Sequence, residues 1–287
     1  MPDLKFYLDK VLKEFPPVNR VSADPVQFQR RFFDDGKSQI EVEAVAVFSA
    51  MLSYGSAAQF TKKIAHIMQS CRMEFLKLIT SKPDKSFPWI GYRMSTSEEI
   101  AIFAYSIGNV IKKKGSLKQA FFEGYNKSGD TIEGLSSLRD SIYHEAESMI
   151  SPVPHGIKHL LPDPKSGGCC KRWHMFLRWM VRPDDGVDIG IWNEVPPSKL
   201  IIPLDTHISK ISRNLGFTNR KSDDLQTAIE ITNKLKECCS EDPIKYDFAI
   251  CHLGIGGKCT YGKNPELCAK CILKSLCNNK NHKNQLQ

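Results

Sequence analysis

Apolar residues recur at helical spacing along almost the whole chain, and this pattern restricts the fold more than any other feature. One stripe runs from Ala44 to Leu52 and another from Phe60 to Cys71, with the helix breaker Tyr54-Gly55-Ser56 between them. Residues three and four positions apart share one face of a helix, so each stripe predicts a helix with one buried face. The two helices are expected to pack as an antiparallel pair. Strand-like alternation is almost absent, so the sequence predicts an all-α fold.

Two short motifs predict where further helices begin. Ser95-Thr96-Ser97-Glu98 has the form of a capping box, in which a hydroxyl and a carboxylate satisfy the first free amides of a helix. Asp242 followed by Pro243 predicts another helix start, because proline is well tolerated in the first turn. A chain of 287 residues is long enough for about two domains, so we expect two helical lobes.

Composition and charge narrow the class of protein. No apolar run approaches the ~18 residues that a membrane span needs, and the N-terminal segment lacks the apolar stretch of a signal peptide. These features predict a cytoplasmic protein without a membrane partner. The net charge of +8 favours a polyanionic partner.

Four of the ten cysteines lie close together near the end of the chain, at Cys259, Cys268, Cys271 and Cys277. In a reducing compartment such a group more often binds metal than forms disulfides. Structural zinc sites usually have two Cys-x2-Cys pairs, whereas this segment has one such pair between two unequal arms. The asymmetry favours a [4Fe-4S] cluster, with zinc or incidental core thiols as the alternatives.

Two stretches of sequence resemble a known family. KYDFAICHLGIGGKC and CAKCILKSLC are similar to the C-terminal end of endonuclease III and its relatives among the helix-hairpin-helix DNA glycosylases. The family's cluster loop reads Cys-x6-Cys-x2-Cys-x5-Cys, and the first spacer here is two residues longer. The segment Leu204-Asp205-Thr206-His207-Ile208 is similar to the family's Val-Asp-Thr-His-Ile. The resemblance covers roughly Lys158 to Cys277, and the chain looks most like an uncharacterised bacterial family of this fold.

The resemblance implies a two-lobed helix-hairpin-helix glycosylase-like fold with a C-terminal iron–sulfur loop. It implies a central lobe over 35–182 and a second lobe formed by 1–34 and 198–277. An insertion is expected at 183–197, and a disordered tail at 278–287.

The implied activity is that of a DNA base-excision repair glycosylase. In the family the aspartate matching Asp205 is catalytic, and a carboxylate there stabilises the positive charge that develops on the sugar. The alternative for Asp205 is a helix N-cap. Lys171 corresponds to the Schiff-base nucleophile of the bifunctional members, which adds AP lyase activity. The helix dipole and Arg172 are expected to disfavour its ammonium form, and the alternative is a phosphate-binding or solvated lysine.

The implied partner is double-stranded DNA carrying a damaged base, bound by a monomer. The family's hairpin glycines correspond to a displaced pair, Gly167 and Gly168, which would present backbone amides to a phosphate. Arg172, Arg178 and Arg182 are predicted to contact the DNA backbone from the following helix. Two other functions stay open, namely a nonenzymatic DNA-binding protein and a small-molecule enzyme or redox sensor. Lack of a nucleotide-binding glycine loop weakens the last of these.

Overall fold

The computed structural model describes residues 3–278. Within that range the regular structure is helical, apart from two isolated β-bridges, which confirms the predicted all-α class. No helix in this part of the chain is both long and apolar enough to cross a membrane. Except for Asn278, the predicted disordered tail lies outside the described residues. The helices are α1 (Leu4–Glu14), α2 (Val26–Asp34), α3 (Gln39–Leu52), α4 (Ala57–Ser70), α5 (Phe75–Thr80), α6 (Ser97–Lys114), α7 (Leu117–Ser128), α8 (Thr131–Met149), α9 (His155–Leu160), α10 (Lys171–Val181), α11 (Thr206–Asn214), α12 (Leu225–Lys236), α13 (Asp247–Ile255) and α14 (Pro265–Ala269).

The two stripes near the start of the chain form α3 and α4, as predicted. The chain leaves α3 after Leu52 and enters α4 at Ala57, so the predicted breaker lies in the turn between them. Gly55 has a φ of +77° in that turn. Glycine adopts this left-handed conformation without the steric penalty that a Cβ would introduce, which explains why the helical pattern stops there.

The capping box of α6 is displaced by one residue from the predicted position. Thr96, and not Ser95, is the N-cap, and its hydroxyl accepts a hydrogen bond from the Glu99 N–H at 3.2 Å. The Glu99 carboxylate in turn accepts from the Thr96 N–H at 2.6 Å. Ser95 is buried and its hydroxyl donates to the carbonyl of Gly156 at 3.2 Å. This tertiary contact occupies the side chain that the sequence pattern assigned to the cap.

The helix predicted to begin at Asp242 and Pro243 begins later, at Asp247. Residues 243–246 form a turn instead, in which Tyr246 is buried and its hydroxyl donates to Asp9 Oδ1 at 2.7 Å. A proline fixes its own φ but does not impose the helical hydrogen bonds of the residues after it. The anchored tyrosine therefore accounts for the delayed start.

The described residues form two compact units. The larger unit contains 20–166 and 175–194, and the smaller unit contains 3–19, 167–174 and 195–278. The predicted division differs in three segments. Residues 20–34 belong to the larger unit because α2 packs on α3, while 167–174 belong to the smaller unit. Most of the predicted insertion, 183–194, is an integral part of the larger unit.

The core of the larger unit is built around α3, which is buried on all sides from Val42 onward. The ring of Phe48 stacks on Phe103 of α6 with centroids 5.9 Å apart and contacts Phe75 of α5 at 4.8 Å. The predicted insertion closes part of this core. Trp192 is fully buried, and its Nε1–H donates to Glu43 Oε1 at 2.9 Å.

The predicted DNA-binding role of Arg178 and Arg182 requires correction, because both side chains are buried in the larger unit. The Arg178 Nε–H donates to both carboxylate oxygens of Asp188, at 3.1 and 3.2 Å. Arg182 also contacts Asp188 and pairs with Asp185 at 3.0 Å. A buried carboxylate is stable in its charged form only if it is paired with a positive charge. The segment after α10 folds back and brings the Asp188 carboxylate to the two arginines. The two arginines therefore hold this segment in place and present no exposed basic face.

His174 of α10 is buried, and neither ring nitrogen has a hydrogen-bond partner among the described residues. Burial lowers the pKa of His174 from 6.5 to about 4. Below pH 6.5 the unfolded chain therefore binds a proton at His174, whereas the ring stays neutral in the folded chain. The free energy of unfolding decreases for this reason as the pH falls from 6.5 towards 4. We expect wild type to lose about 2 kcal/mol more than His174→Leu between pH 7.5 and pH 5.

Urea unfolding at the two pH values measures this difference. The exposed His144→Leu serves as the matched control and should keep the pH dependence of wild type. Equal pH dependence in wild type and His174→Leu would contradict the prediction.

Candidate active site and cysteine cluster

Asp205 lies at the N-terminus of α11 in the smaller unit and caps that helix. Its Oδ1 accepts hydrogen bonds from the N–H groups of His207, at 2.9 Å, and Ile208, at 2.8 Å. These contacts satisfy two of the amides that a helix start leaves free. The other carboxylate oxygen, Oδ2, points to two side chains from other parts of the same unit. The N-cap alternative is therefore correct as far as Oδ1 is concerned, and it leaves Oδ2 for other interactions.

Lys171, the first residue of α10, is the first of the two side chains near Asp205 Oδ2. Its Nζ lies 3.5 Å from Asp205 Oδ2, and the lysine side chain is 37% exposed while that of Asp205 is 14% exposed. Burial alone would raise the pKa of Asp205, but the charge of Lys171 and the hydrogen bonds from Ile208 and Cys251 outweigh it and lower the pKa. Asp205 is therefore ionised at neutral pH. The two residues predicted to be catalytic are brought together.

Cys251 of α13 is the second side chain at Asp205 Oδ2. Its thiol lies 3.0 Å from that oxygen and donates to it. Burial raises the pKa of Cys251 well above its usual value, and the Asp205 carboxylate adds to the rise. The sulfur is thus a protonated thiol, and its position on an apolar stripe of the sequence gave no sign of a polar partner.

A second polar pair lies beside Asp205. The ring Nδ1 of His207 and the hydroxyl of Tyr261 form a hydrogen bond of 2.5 Å. Both groups pack on Gly254 of α13, where an added Cβ would lie 2.5 Å from His207 Nδ1 and 2.7 Å from the Tyr261 oxygen. Tyr261 lies in the eight-residue spacer between Cys259 and Cys268, the longest of the three spacers between the clustered cysteines. The length of this spacer is the sequence feature that sets the segment apart.

The four clustered cysteines line one cavity in the smaller unit. Its other walls are largely apolar and include Ile211, Leu215, Leu253 and Leu273. All four cysteines are free of disulfides. The donor set and its apolar surroundings fit a thiolate-ligated cluster, which needs four cysteines and limited access of solvent.

The thiols do not crowd around a single point. In the part of the chain that the structure describes, no three His, Cys, Asp or Glu side chains converge closely enough to hold one metal ion. Burial raises the pKa of Cys259 and of Cys271, and the neighbouring cysteines contribute to both rises. Both shifts favour the protonated thiols of Cys259 and Cys271, so these two residues would have to release protons to become thiolate ligands.

The remaining predicted DNA-binding residues lie at the start of α10 and just before it. Gly167 and Gly168 are exposed, and Gly167 has a φ of +83°. The Gly167 carbonyl accepts from the Leu225 N–H at 3.0 Å, and Gly168 forms a β-bridge with Asp224. Arg172 is half-buried. These contacts fix the segment against α12, and its binding to phosphate stays a prediction.

Comparison with known protein families identifies a match to this chain. The family described as "Protein of unknown function (DUF2400)" matches residues 24–256. That range includes Lys171, Asp205 and Cys251 and ends before the four clustered cysteines. No curated protein and no solved structure matches the chain. The chemistry of the site must therefore be derived from its own residues.

Proposed function

The chain belongs to the DUF2400 family, whose function is unknown, and we propose that it is a DNA base-excision glycosylase of the helix-hairpin-helix class with AP lyase activity. The observation that carries this proposal is the pairing of Lys171 Nζ with Asp205 Oδ2 at 3.5 Å. An ionised carboxylate and a primary amine at one point are the two groups that such chemistry needs.

Breaking the bond between base and sugar leaves positive charge on the sugar C1′ and ring oxygen. The ionised Asp205 would stabilise that charge in a partly buried environment, where electrostatic interactions are stronger than in water. Its capping bonds hold Oδ1 in place, so the carboxylate needs little reorganisation when the charge develops. Lys171 and Cys251 contact Oδ2 and leave Oδ1 to the helix cap. The sugar therefore competes with these two side chains for Oδ2 alone.

Lys171 would act as the nucleophile. After losing one proton to solvent, its amine attacks C1′ with the nitrogen lone pair, and the base leaves with the electrons of the glycosidic bond. The nitrogen then loses a proton, and ring opening breaks the C1′–O4′ bond, with O4′ taking the electron pair and a proton while nitrogen forms the C=N bond of a Schiff base. Removal of a C2′ proton to solvent then drives β-elimination, which breaks the C3′–O bond and releases the 3′ phosphate as the leaving group. The partial exposure of Lys171 lets solvent take the first proton.

Cys259, Cys268, Cys271 and Cys277 would hold a [4Fe-4S] cluster. The observation that supports a cluster is that the four thiols line one largely apolar cavity. A cubane spreads its four cysteine ligands over separate iron atoms, and such a cavity suits that arrangement. The cluster would fix the conformation of the loop that carries it.

We expect the protein purified without oxygen to contain about four iron and four sulfide per chain, and Cys271→Ala to contain substoichiometric amounts of both. Cys71→Ala, which removes a cysteine outside the cavity, is the matched control and should keep the full content. Iron, sulfide and zinc analysis measures the result. Stoichiometric zinc without sulfide would contradict the cluster.

Double-stranded DNA would bind through exposed lysines of the cysteine loop, since Arg178 and Arg182 are buried. These loop lysines are Lys258, Lys263, Lys270 and Lys274, and all four are exposed. Lysines that neutralise phosphates release counterions, so each such contact steepens the salt dependence of binding.

Reversing the charge of two loop lysines, with Lys263→Glu and Lys270→Glu together, should lower DNA affinity about tenfold or more at low salt. The slope of log affinity against log salt should fall by about two. Fluorescence anisotropy with damaged and undamaged duplex measures both. The control pair Lys112→Glu and Lys127→Glu changes the same charge on exposed lysines of the larger unit and should have little effect. Loss of binding in the control pair alone would place the DNA elsewhere.

A second function, DNA binding without catalysis, is favoured by the partners that Asp205 already has. Its Oδ1 caps α11 and its Oδ2 is held by Lys171 and Cys251, so the carboxylate is fully used in the free protein. A panel of duplexes, each with one lesion, separates the two functions when base release and strand scission are scored independently. Binding to the panel without base release from any lesion would overturn the glycosylase proposal.

A further inference from the structure

Asp205 depends on a side chain that belongs to neither the helix cap nor the proposed Lys171 nucleophile. Cys251 projects from the middle of α13, and its sulfur lies 3.0 Å from Asp205 Oδ2. The Cys251 side chain is short and comes from a regular helix, whereas Lys171 is long and 37% exposed. Cys251 is therefore the more rigid of the two partners of Oδ2.

The direction of this hydrogen bond follows from the charges around the thiol. Cys251 faces Asp205 from α11, Lys171 from α10 and Asp247 on its own helix. Burial and the Asp205 carboxylate both favour the neutral thiol and outweigh the opposite effect of Lys171. An ionised carboxylate can only accept, so the hydrogen lies on sulfur and points to Oδ2.

The Cys251 S–H donor matters most when Lys171 does not form its ion pair with Asp205. In the proposed reaction Lys171 loses its charge and moves to C1′, which removes the ion pair from Asp205 at the stage when the carboxylate must stay ionised and oriented. A buried carboxylate that loses a donor tends to take up a proton. The Cys251 S–H stays in place through this change, because it is anchored on α13.

We propose that Cys251 is a positioning residue, whose thiol holds Asp205 Oδ2 oriented and ionised while Lys171 is neutral. The inference rests on the proposed glycosylase function for its catalytic consequence. The hydrogen bond itself can be tested without any DNA.

The catalytic test is the pH dependence of single-turnover base release from a lesion that wild type processes. With Cys251→Ala, Asp205 loses a donor, so the acidic limb of the profile should move up by about one pH unit, with a rate about tenfold lower at its acidic end. Cys251→Ser restores an O–H donor and should return the limb towards wild type. Cys238→Ala removes another buried thiol of the smaller unit, away from Asp205, and should leave the profile unchanged.

The second test uses the S–H stretching band in the infrared spectrum of the DNA-free protein. Subtracting the spectrum of Cys251→Ala from that of wild type isolates the Cys251 band. The same subtraction in an Asp205→Asn background should show the band at higher frequency, because the amide is a weaker acceptor than the carboxylate. A Cys251 thiol that does not donate to Asp205 would show no such shift.

The outcomes separate the two proposals. A band that does not respond to Asp205→Asn, or a Cys251→Ala profile that coincides with wild type, overturns the role of Cys251. If wild type releases no base from any lesion, the glycosylase function fails. In that case the infrared result alone decides whether Cys251 holds the carboxylate.

Discussion

Asp205→Asn is expected to lower the rate of base release by about 100-fold or more, with DNA affinity and fold unchanged. Asparagine keeps the shape of the side chain and an oxygen that can accept from the N–H groups of His207 and Ile208, so α11 stays capped. What it loses is the negative charge beside the sugar. Single-turnover base release, anisotropy for binding and circular dichroism for the fold measure the three properties.

The matched control for this variant is Asp130→Asn. Asp130 also caps a helix, accepting from the Ile132 N–H at 2.8 Å, but it belongs to the larger unit and lies outside the proposed active site. It should keep full activity. Full base release by Asp205→Asn on a lesion that wild type processes would disprove the proposed mechanism at its central residue.

The helices were predictable because their signals are local. Apolar periodicity and turn residues specify α3 and α4 within a few positions, and no distant contact is needed to place them. The starts of α6 and α13 were less predictable. Ser95 is drawn into a contact with Gly156, and Tyr246 is anchored by Asp9. Tertiary contacts between distant residues decided both boundaries, and no local pattern encodes them.

The prediction that Arg178 and Arg182 contact DNA was wrong for a similar reason. A helical projection shows which residues of α10 share a side with Arg178 and Arg182, but it cannot show that Asp188 returns to cover that side. The sequence shows acidic residues after α10. Their pairing with these arginines depends on how the segment after α10 folds back into the core, which the sequence does not show. Cys251 escaped prediction because its partner Asp205 is remote in sequence. By contrast, Lys171 and Asp205, both of which the sequence singled out, lie within 3.5 Å of each other.

Lys171→Gln is expected to abolish borohydride trapping of a covalent protein–DNA adduct, because only a primary amine can form the Schiff base that borohydride reduces. Wild type should give the adduct on a lesion duplex, seen as a shifted band on a denaturing gel. Lys234→Gln, an exposed lysine of the smaller unit paired with Glu237, is the matched control and should still trap.

The ion pair with Asp205 favours the charged, unreactive form of Lys171, so the yield of adduct should rise with pH as the amine loses its proton. If wild type releases base but never traps, Lys171 is not a nucleophile and an activated water completes the reaction at C1′. If Lys171→Gln still traps, another amine carries the lyase step, and the pairing of Lys171 with Asp205 serves the carboxylate alone.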